Sequence, residues 1–185
     1  MAFSGANPDG SVTADFSLPE RALISSLAHQ IAVMLTDLAA LRTPHDDEVA
    51  ALFDSVGIGG SSTLNADPAI ARLLPNAYAD DEVEASREFR LYTERSLASR
   101  KLSNARTVVA SLTATEPEFT LSPLEVQAWM RTLTDIRLTI ATRLGIDSDD
   151  DQPIDESIDE GSLALRDVYD WLGWVSESLI DAIDS

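Results

Sequence analysis

A chain of 185 residues is long enough for one domain and short for two. It carries 13 Lys+Arg against 32 Asp+Glu, a formal net charge of −19, and no cysteine. Such a field disfavours nucleic acid and anionic lipid as partners, and the lack of cysteine excludes disulfides, thiolate nucleophiles, zinc–cysteine sites and thiol redox switches.

The two histidines, His29 and His45, lie far apart in sequence, so no His-rich metal site is expected, and no cofactor. The opening M-A-F-S-G-A-N-P-D-G lacks the basic start and apolar run of a signal peptide. The most apolar stretch, Leu23 to Leu41, is broken by Ser25, Ser26, His29, Gln30 and Asp37. It falls short of the run of ~20 apolar residues that spans a bilayer. The expectation is a cytoplasmic protein with no membrane contact.

Residues 1–15 read as a flexible lead, and 16–185 as a single helical domain. Phe16-Ser17-Leu18 is a short extended piece running into a helix, with Pro19 in the first turn, where its missing N–H costs nothing. Leu23, Leu27, Ile31, Met34, Leu38 and Leu41 recur every three or four residues and mark one buried face of that helix, which ends at Thr43-Pro44. A short helix is expected over residues 46–54, then a glycine- and serine-rich loop from Gly57 to Thr63. Another short helix follows, with Asp67 as N-cap and Pro68 at its first position. After a turn at residues 75–81, Asp81 to Thr113 contains no Gly or Pro and reads as one long helix, with Ser96, Ser99 and Ser103 in its polar centre.

Phe119-Thr120-Leu121 is a second extended piece. D-F-S-L-P-E near the start and E-F-T-L-S-P-L-E here share an acid, Phe, a hydroxyl residue and Leu, closely followed by Pro and Glu. The two pieces are expected to pair as strands, which need helices packed on them to be stable. Leu124 to Leu144 reads as a helix with a stripe of Val126, Met130, Leu133, Ile140 and Leu144, stopped by Gly145. Residues 147–161 form an acidic linker. The last helix, Ser162 to Ile183, carries Leu165, Val168, Leu172, Val175 and Leu179 at alternating steps of three and four. The expected fold is mainly α: a helical bundle with a minimal two-stranded β element, its helix content well above the usual ~30–35%.

Four groups of residues could carry function. Arg95, Arg100, Lys101 and Arg106 form the one basic stretch, with no acid between Arg95 and Glu116. They could receive a phosphate, an acidic partner or DNA, or be neutralised by acids on neighbouring helices. Asp135, Arg137 and Arg143 follow Trp129 on one helix. Arg137 stands at the margin of the apolar stripe, where a lone charge must reach water or a carboxylate. The expectation is that Arg137 is largely buried and held by Asp170 or Glu88; a ligand-binding role with Asp135 is the alternative. Trp171 and Trp174 share a face as core or as a docking patch. Counted from Asp147, the acidic run places carboxylates at calcium-loop positions one, three, five and nine. Gln152 stands where the loop needs Gly, and Ile158 where it needs Glu, so a solvated linker is the expectation and no metal. No Gly-rich phosphate loop, nucleophile motif or helical histidine pair is present in the sequence.

The motifs L-L-P-N-A-Y, E-F-R-L-Y-T-E, K-L-S-N-A-R, L-T-D-I-R-L, T-R-L-G-I and Y-D-W-L-G-W carry a resemblance. From about Phe16 onward the chain resembles actinobacterial proteins of unknown function often encoded beside the proteolytic adaptor ClpS. It departs from that pattern at Thr134, where asparagine is expected before the aspartate. Members of the family are sometimes labelled transcriptional regulators, some of them redox-responsive. The resemblance implies a regulatory or adaptor-like role, and without cysteine a thiol sensor cannot operate in this member. The first reading is therefore a non-enzymatic regulator that binds another protein, with a homodimer also open. The alternatives are a transcription regulator touching DNA through Arg95 to Arg106, which the overall charge opposes, and a small-molecule-binding protein using Asp135 and Arg137.

Overall fold

Ser17 and Ser122 each stand three residues ahead of a glutamate, the spacing at which a helix-starting serine and a glutamate exchange hydrogen bonds. In the computed structural model Ser122 makes the full exchange and Ser17 bonds to its glutamate in one direction. Ser17 donates its backbone N–H to Glu20 Oε2 at 2.8 Å. Ser122 does the same to Glu125 Oε2 at 2.8 Å, and its Oγ accepts from the Glu125 N–H, completing the reciprocal box. Each serine ends an extended segment and starts a long helix.

The structure describes residues 2–40, 67–74, 84–113, 116–146 and 160–185, with backbone alone at 37–40 and 84–93. The elements are β1 (Phe3–Ser4), β2 (Val12–Asp15), α1 (Leu18–Ala40), α2 (Pro68–Leu73), α3 (Glu84–Ser111), β3 (Glu118–Leu121), α4 (Pro123–Leu144) and α5 (Glu160–Ile183). The fold is mainly α, with a small antiparallel sheet ordered β1-β2-β3. The expected helix at residues 46–54, the loop at Gly57 to Thr63, the turn at 75–81, nearly all of the acidic linker and the side chain of Glu88 lie outside what is described.

The expected flexible lead is instead two strands of this sheet. Residues 3–4 pair with 13–14, and Val12 to Asp15 pair with Leu121 to Glu118. Between β1 and β2, Asn7-Pro8-Asp9-Gly10 closes a turn. Gly10 N–H donates to Asn7 O at 2.8 Å, and Gly10 takes φ 78, a left-handed value that glycine reaches without strain. Phe3, Val12, Ala14, Phe16 and Leu121 are all buried. The two-stranded expectation is thus corrected to three strands, and the strand that pairs with β3 lies just ahead of Phe16 rather than at Phe16 to Leu18.

The helices bury the rest of the core. On α1 the fully enclosed row is Ile24, Ala28, Ile31 and Leu35, one position on from the expected Leu23, Leu27 and Met34, which are half-buried. On α4 the row is Val126, Trp129, Leu133, Ile136 and Ile140, while Met130, expected inside, is 40% exposed. On α5, Leu172, Val175 and Leu179 are buried as expected. α1 packs on α3, α3 on α4, and α4 on α5 and α2. The sheet is pinned to the C-terminal helix: Phe3 N–H donates to Ser178 Oγ at 3.1 Å, and Ala6 N–H to Ala182 O at 2.8 Å.

Helix ends are closed by side chains. Asp67 Oδ1 accepts from Ala69 N–H at 2.9 Å at the start of α2, with Pro68 in the first turn. Gly145, at φ 70, ends α4. Arg72 donates to Ile146 O at 3.2 Å, just beyond that end. Arg21, only 5% exposed, donates to Leu112 O at 2.8 Å and Glu116 O at 2.7 Å, with its guanidinium 5.5 Å from the Phe119 ring centroid. A cation there meets the negative end of the α3 dipole and its unpaired carbonyls.

Candidate functional site

The helix bundle brings charged groups into three distinct places. α3 and α4 run side by side in opposite directions, as Trp129 Nε1 bonded to Ser111 Oγ at 2.9 Å and Lys101 bonded to Asp135 show. At the second of these contacts the Lys101 ammonium donates to Asp135 Oδ1, with side-chain exposures of 19% and 3%. Burial pushes the Asp135 carboxyl above the usual carboxylate range, and hydrogen bonding and charge from Lys101 draw it back part of the way. One turn away, Thr132 Oγ1 is buried without a hydrogen-bond partner, and Thr139 Oγ1 donates to Asp135 O at 2.9 Å. Lys101, the one lysine of the chain, is therefore a tether between helices rather than a free member of the basic stretch.

The rest of that stretch divides. Arg95 is half-buried, whereas Arg100 and Arg106 are exposed. Arg106 borders a shallow hollow on α3 with Ser99, Leu102, Ser103, Thr107 and Ala110. Of the four cations of the basic stretch, two arginines are exposed, and Arg106 alone of them lines the hydroxyl-rich hollow.

Asp135 and Arg137 do not form one site. Residues two apart on a helix point to different sides, and here Asp135 turns to α3 while Arg137 turns to α5. The expected carboxylate clamp on Arg137 is not found: Asp170 is exposed, and among the described residues no acid pairs with Arg137. Its guanidinium lies 4.8 Å from the Tyr169 ring centroid, a cation–π contact that steadies the charge without neutralising it. Its Nε is buried with no hydrogen-bond partner. Arg143 faces Asp67 across 3.9 Å with both side chains largely exposed, a pair worth at most ~1 kcal/mol.

Gly173 permits the Arg137 arrangement. A Cβ there would lie 3.5 Å from Arg137 Nη2 and 3.7 Å from Cζ, at ordinary contact distance. Gly173→Ala should therefore stabilise the protein by about 0.5–1 kcal/mol, because glycine in a helix interior is entropically costly. A raised urea midpoint would confirm it; a lowered one would mean that the methyl is not accommodated against the guanidinium.

The tryptophans divide as well. Trp171 is half-buried and packs against the core, while Trp174 is 46% exposed. On α5 the exposed residues Leu163, Asp167, Asp170, Trp174, Glu177 and Asp181 fall on one stripe. Among the described residues no three or more of His, Cys, Asp and Glu are grouped to hold a metal ion, and no helix is long and apolar enough to cross a membrane.

The architecture is that of a helical bundle closed at one end by a three-stranded sheet, with a buried acid–lysine tether and an exposed tryptophan. The chain belongs to the family described as a domain of unknown function, DUF2017, which matches residues 2–183. It is also similar to a Mycobacterium leprae protein named "Putative oxidative stress regulator AosR", at 26% identity over 138 residues. That alignment covers 67% of this chain and 62% of the mycobacterial protein, so the chain matches less than two thirds of its relative's length. No solved structure matches.

Proposed function

We propose that this chain is a non-enzymatic regulatory protein that works in the cytoplasm by binding another protein. The observation that carries the reading is Trp174, a large aromatic held 46% exposed on the outer stripe of α5. Exposed tryptophan is the side chain most often found at the energetic centre of protein interfaces, and an acidic surround steers a cationic partner toward it. The regulator name of the mycobacterial relative supports the same direction. With no cysteine in the chain, any response to oxidants here works without thiols. The test compares the tagged full chain with its Trp174→Ala variant in pull-downs from native cytosol, followed by titration of the purified candidate partner. Loss of one partner on Trp174→Ala, with the fold intact, supports the reading. Identical capture by both proteins, or none by either, removes it.

A second reading, contact with DNA, rests on Arg100 and Arg106, which remain exposed beside Ser99 and Ser103. Binding through them would weaken with salt at a log–log slope of about −0.9 per phosphate contact. Arg100→Glu with Arg106→Glu would flatten that slope. Lys101 is left intact in this test because it is bonded to Asp135. Absent binding at low salt, or a slope indifferent to the two changes, excludes the reading.

A further inference from the structure

Arg137 differs from the other inward-turned cations. Arg21 donates to Leu112 O and Glu116 O, Arg72 to Ile146 O, and Lys101 to Asp135. Arg137 has a buried Nε with no partner, and no carboxylate of the described residues meets it, in a chain with 32 Asp+Glu. Unpartnered buried donors are rare and call for a cause, such as a water or an ion. The guanidinium carbon lies 4.8 Å from the Tyr169 ring centroid, and Gly173 stands close to the guanidinium, a Cβ there lying 3.5 Å from Nη2, 3.7 Å from Cζ and 3.9 Å from Nε. A guanidinium confined by an aromatic neighbour keeps its planar fork oriented, so it loses little freedom on binding a planar or tetrahedral oxyanion with two hydrogen bonds.

We propose that Arg137, seated between Tyr169 and Gly173, is a recognition point for an oxyanion, either a carboxylate or a phosphoryl group. The site stands on the seam of α4 and α5 and does not involve Asp135, which faces α3. Asp170, one residue past Tyr169, is exposed and carries a carboxylate that would compete if it swung toward the guanidinium. Asp170→Asn therefore leaves binding unchanged or strengthens it. The proposal is independent of the Trp174 reading, because it concerns an anion rather than a protein partner.

The test uses the arginine side-chain N–H resonances of the full chain. The Arg137 signal is identified by its loss in Arg137→Lys, and the Gly173 backbone amide serves as a second reporter should that variant fold poorly. Sodium acetate and inorganic phosphate are titrated separately against chloride at matched ionic strength. The expected result is a saturable shift at Arg137 and Gly173 with one or both anions, while Arg100 and Arg106 shift linearly. Saturation by acetate alone marks a carboxylate site, and saturation by phosphate alone marks a phosphoryl site. Gly173→Ala, expected to fold at least as well as the parent, sets a methyl over the face of the guanidinium, where no N–H points, and leaves saturation in place. Linear shifts at Arg137 with both anions, matching those of the exposed arginines, overturn the proposal. So does saturation at the Gly173 amide that survives Arg137→Met undiminished.

Discussion

Replacing Lys101 with methionine is expected to lower the stability of the fold by about 3–5 kcal/mol at neutral pH, the range for removing one member of a buried ion pair. The cost falls on the group left behind. Asp135, with its side chain 3% exposed, loses its one hydrogen-bonded cation and stays enclosed among α3 and α4 side chains. The reverse change, Asp135→Ala, is milder, because the Lys101 side chain is 19% exposed and its long stem can carry the ammonium to water. Lys101→Met combined with Asp135→Leu removes both charges and should recover much of the loss. Acid sharpens the comparison. Burial raises the Asp135 carboxyl above its unfolded value, so in the window between the two the folded state holds a proton that the unfolded state has released. For this group, stability falls as pH rises through that window and is highest below it. Without Lys101 the carboxyl moves higher still and the window widens. The deficit of Lys101→Met is then full above the window and shrinks as pH falls through it. Urea midpoints of the single and double variants at neutral pH and in mild acid measure all of this. Wild-type stability in Lys101→Met, or a deficit that grows in acid, would show that the pair carries no such weight.

Local signals placed most helices in the sequence, and pair contacts hid the rest. Asp67-Pro68, Gly145 and the long run without Gly or Pro fixed helix ends because capping and backbone freedom act within a turn. The signals for the first strands are equally local. Asn7-Pro8-Asp9-Gly10 between Phe3 and Val12 is a turn signal with a mechanism, and Val12, Ala14 and Phe16 alternate inward with Thr13 and Asp15. The resemblance between the two strand-to-helix junctions is legible in the sequence, but matching Phe16 to Phe119 does not give their register. The register follows Ser17 and Ser122 instead, the residues that bond to Glu20 and Glu125. The site was less legible. Lys101 and Asp135 are 34 residues apart, and no pattern along one helix tells which of many acids on another will meet a given lysine. The separation of Asp135 from Arg137, by contrast, follows from helix geometry alone.

The other large effect is expected at Trp129. The side chain is fully buried, stacks on Phe16 with centroids 5.6 Å apart and planes 12° apart, and meets Phe3 edge-on at 5.6 Å and 84°. Phe119 of β3 lies 6.4 Å away. One α4 side chain thus touches an aromatic from β1, one from the β2–α1 junction and one from β3, while its indole N–H donates to Ser111 at the end of α3. Trp129→Ala should cost about 3–5 kcal/mol, since the cavity is walled by rings from three separate segments that cannot all close inward. Trp129→Phe separates packing from hydrogen bonding. It keeps a ring for the offset and edge contacts, worth ~0.5–1.5 kcal/mol each, and loses the N–H. Ser111 Oγ would still donate to Val108 O at 2.8 Å, so the change should cost only about 1 kcal/mol for the lost bond plus the smaller volume. Urea unfolding gives the two losses, and amide exchange locates them. In Trp129→Ala, protection should fall first at Phe3, whose N–H is held by Ser178 of α5, because the sheet is pressed onto the bundle through this ring. If Trp129→Ala loses no more than the ~0.5 kcal/mol typical of surface substitutions, the sheet is held by its backbone ties to α5 alone, and the aromatic cluster only fills space.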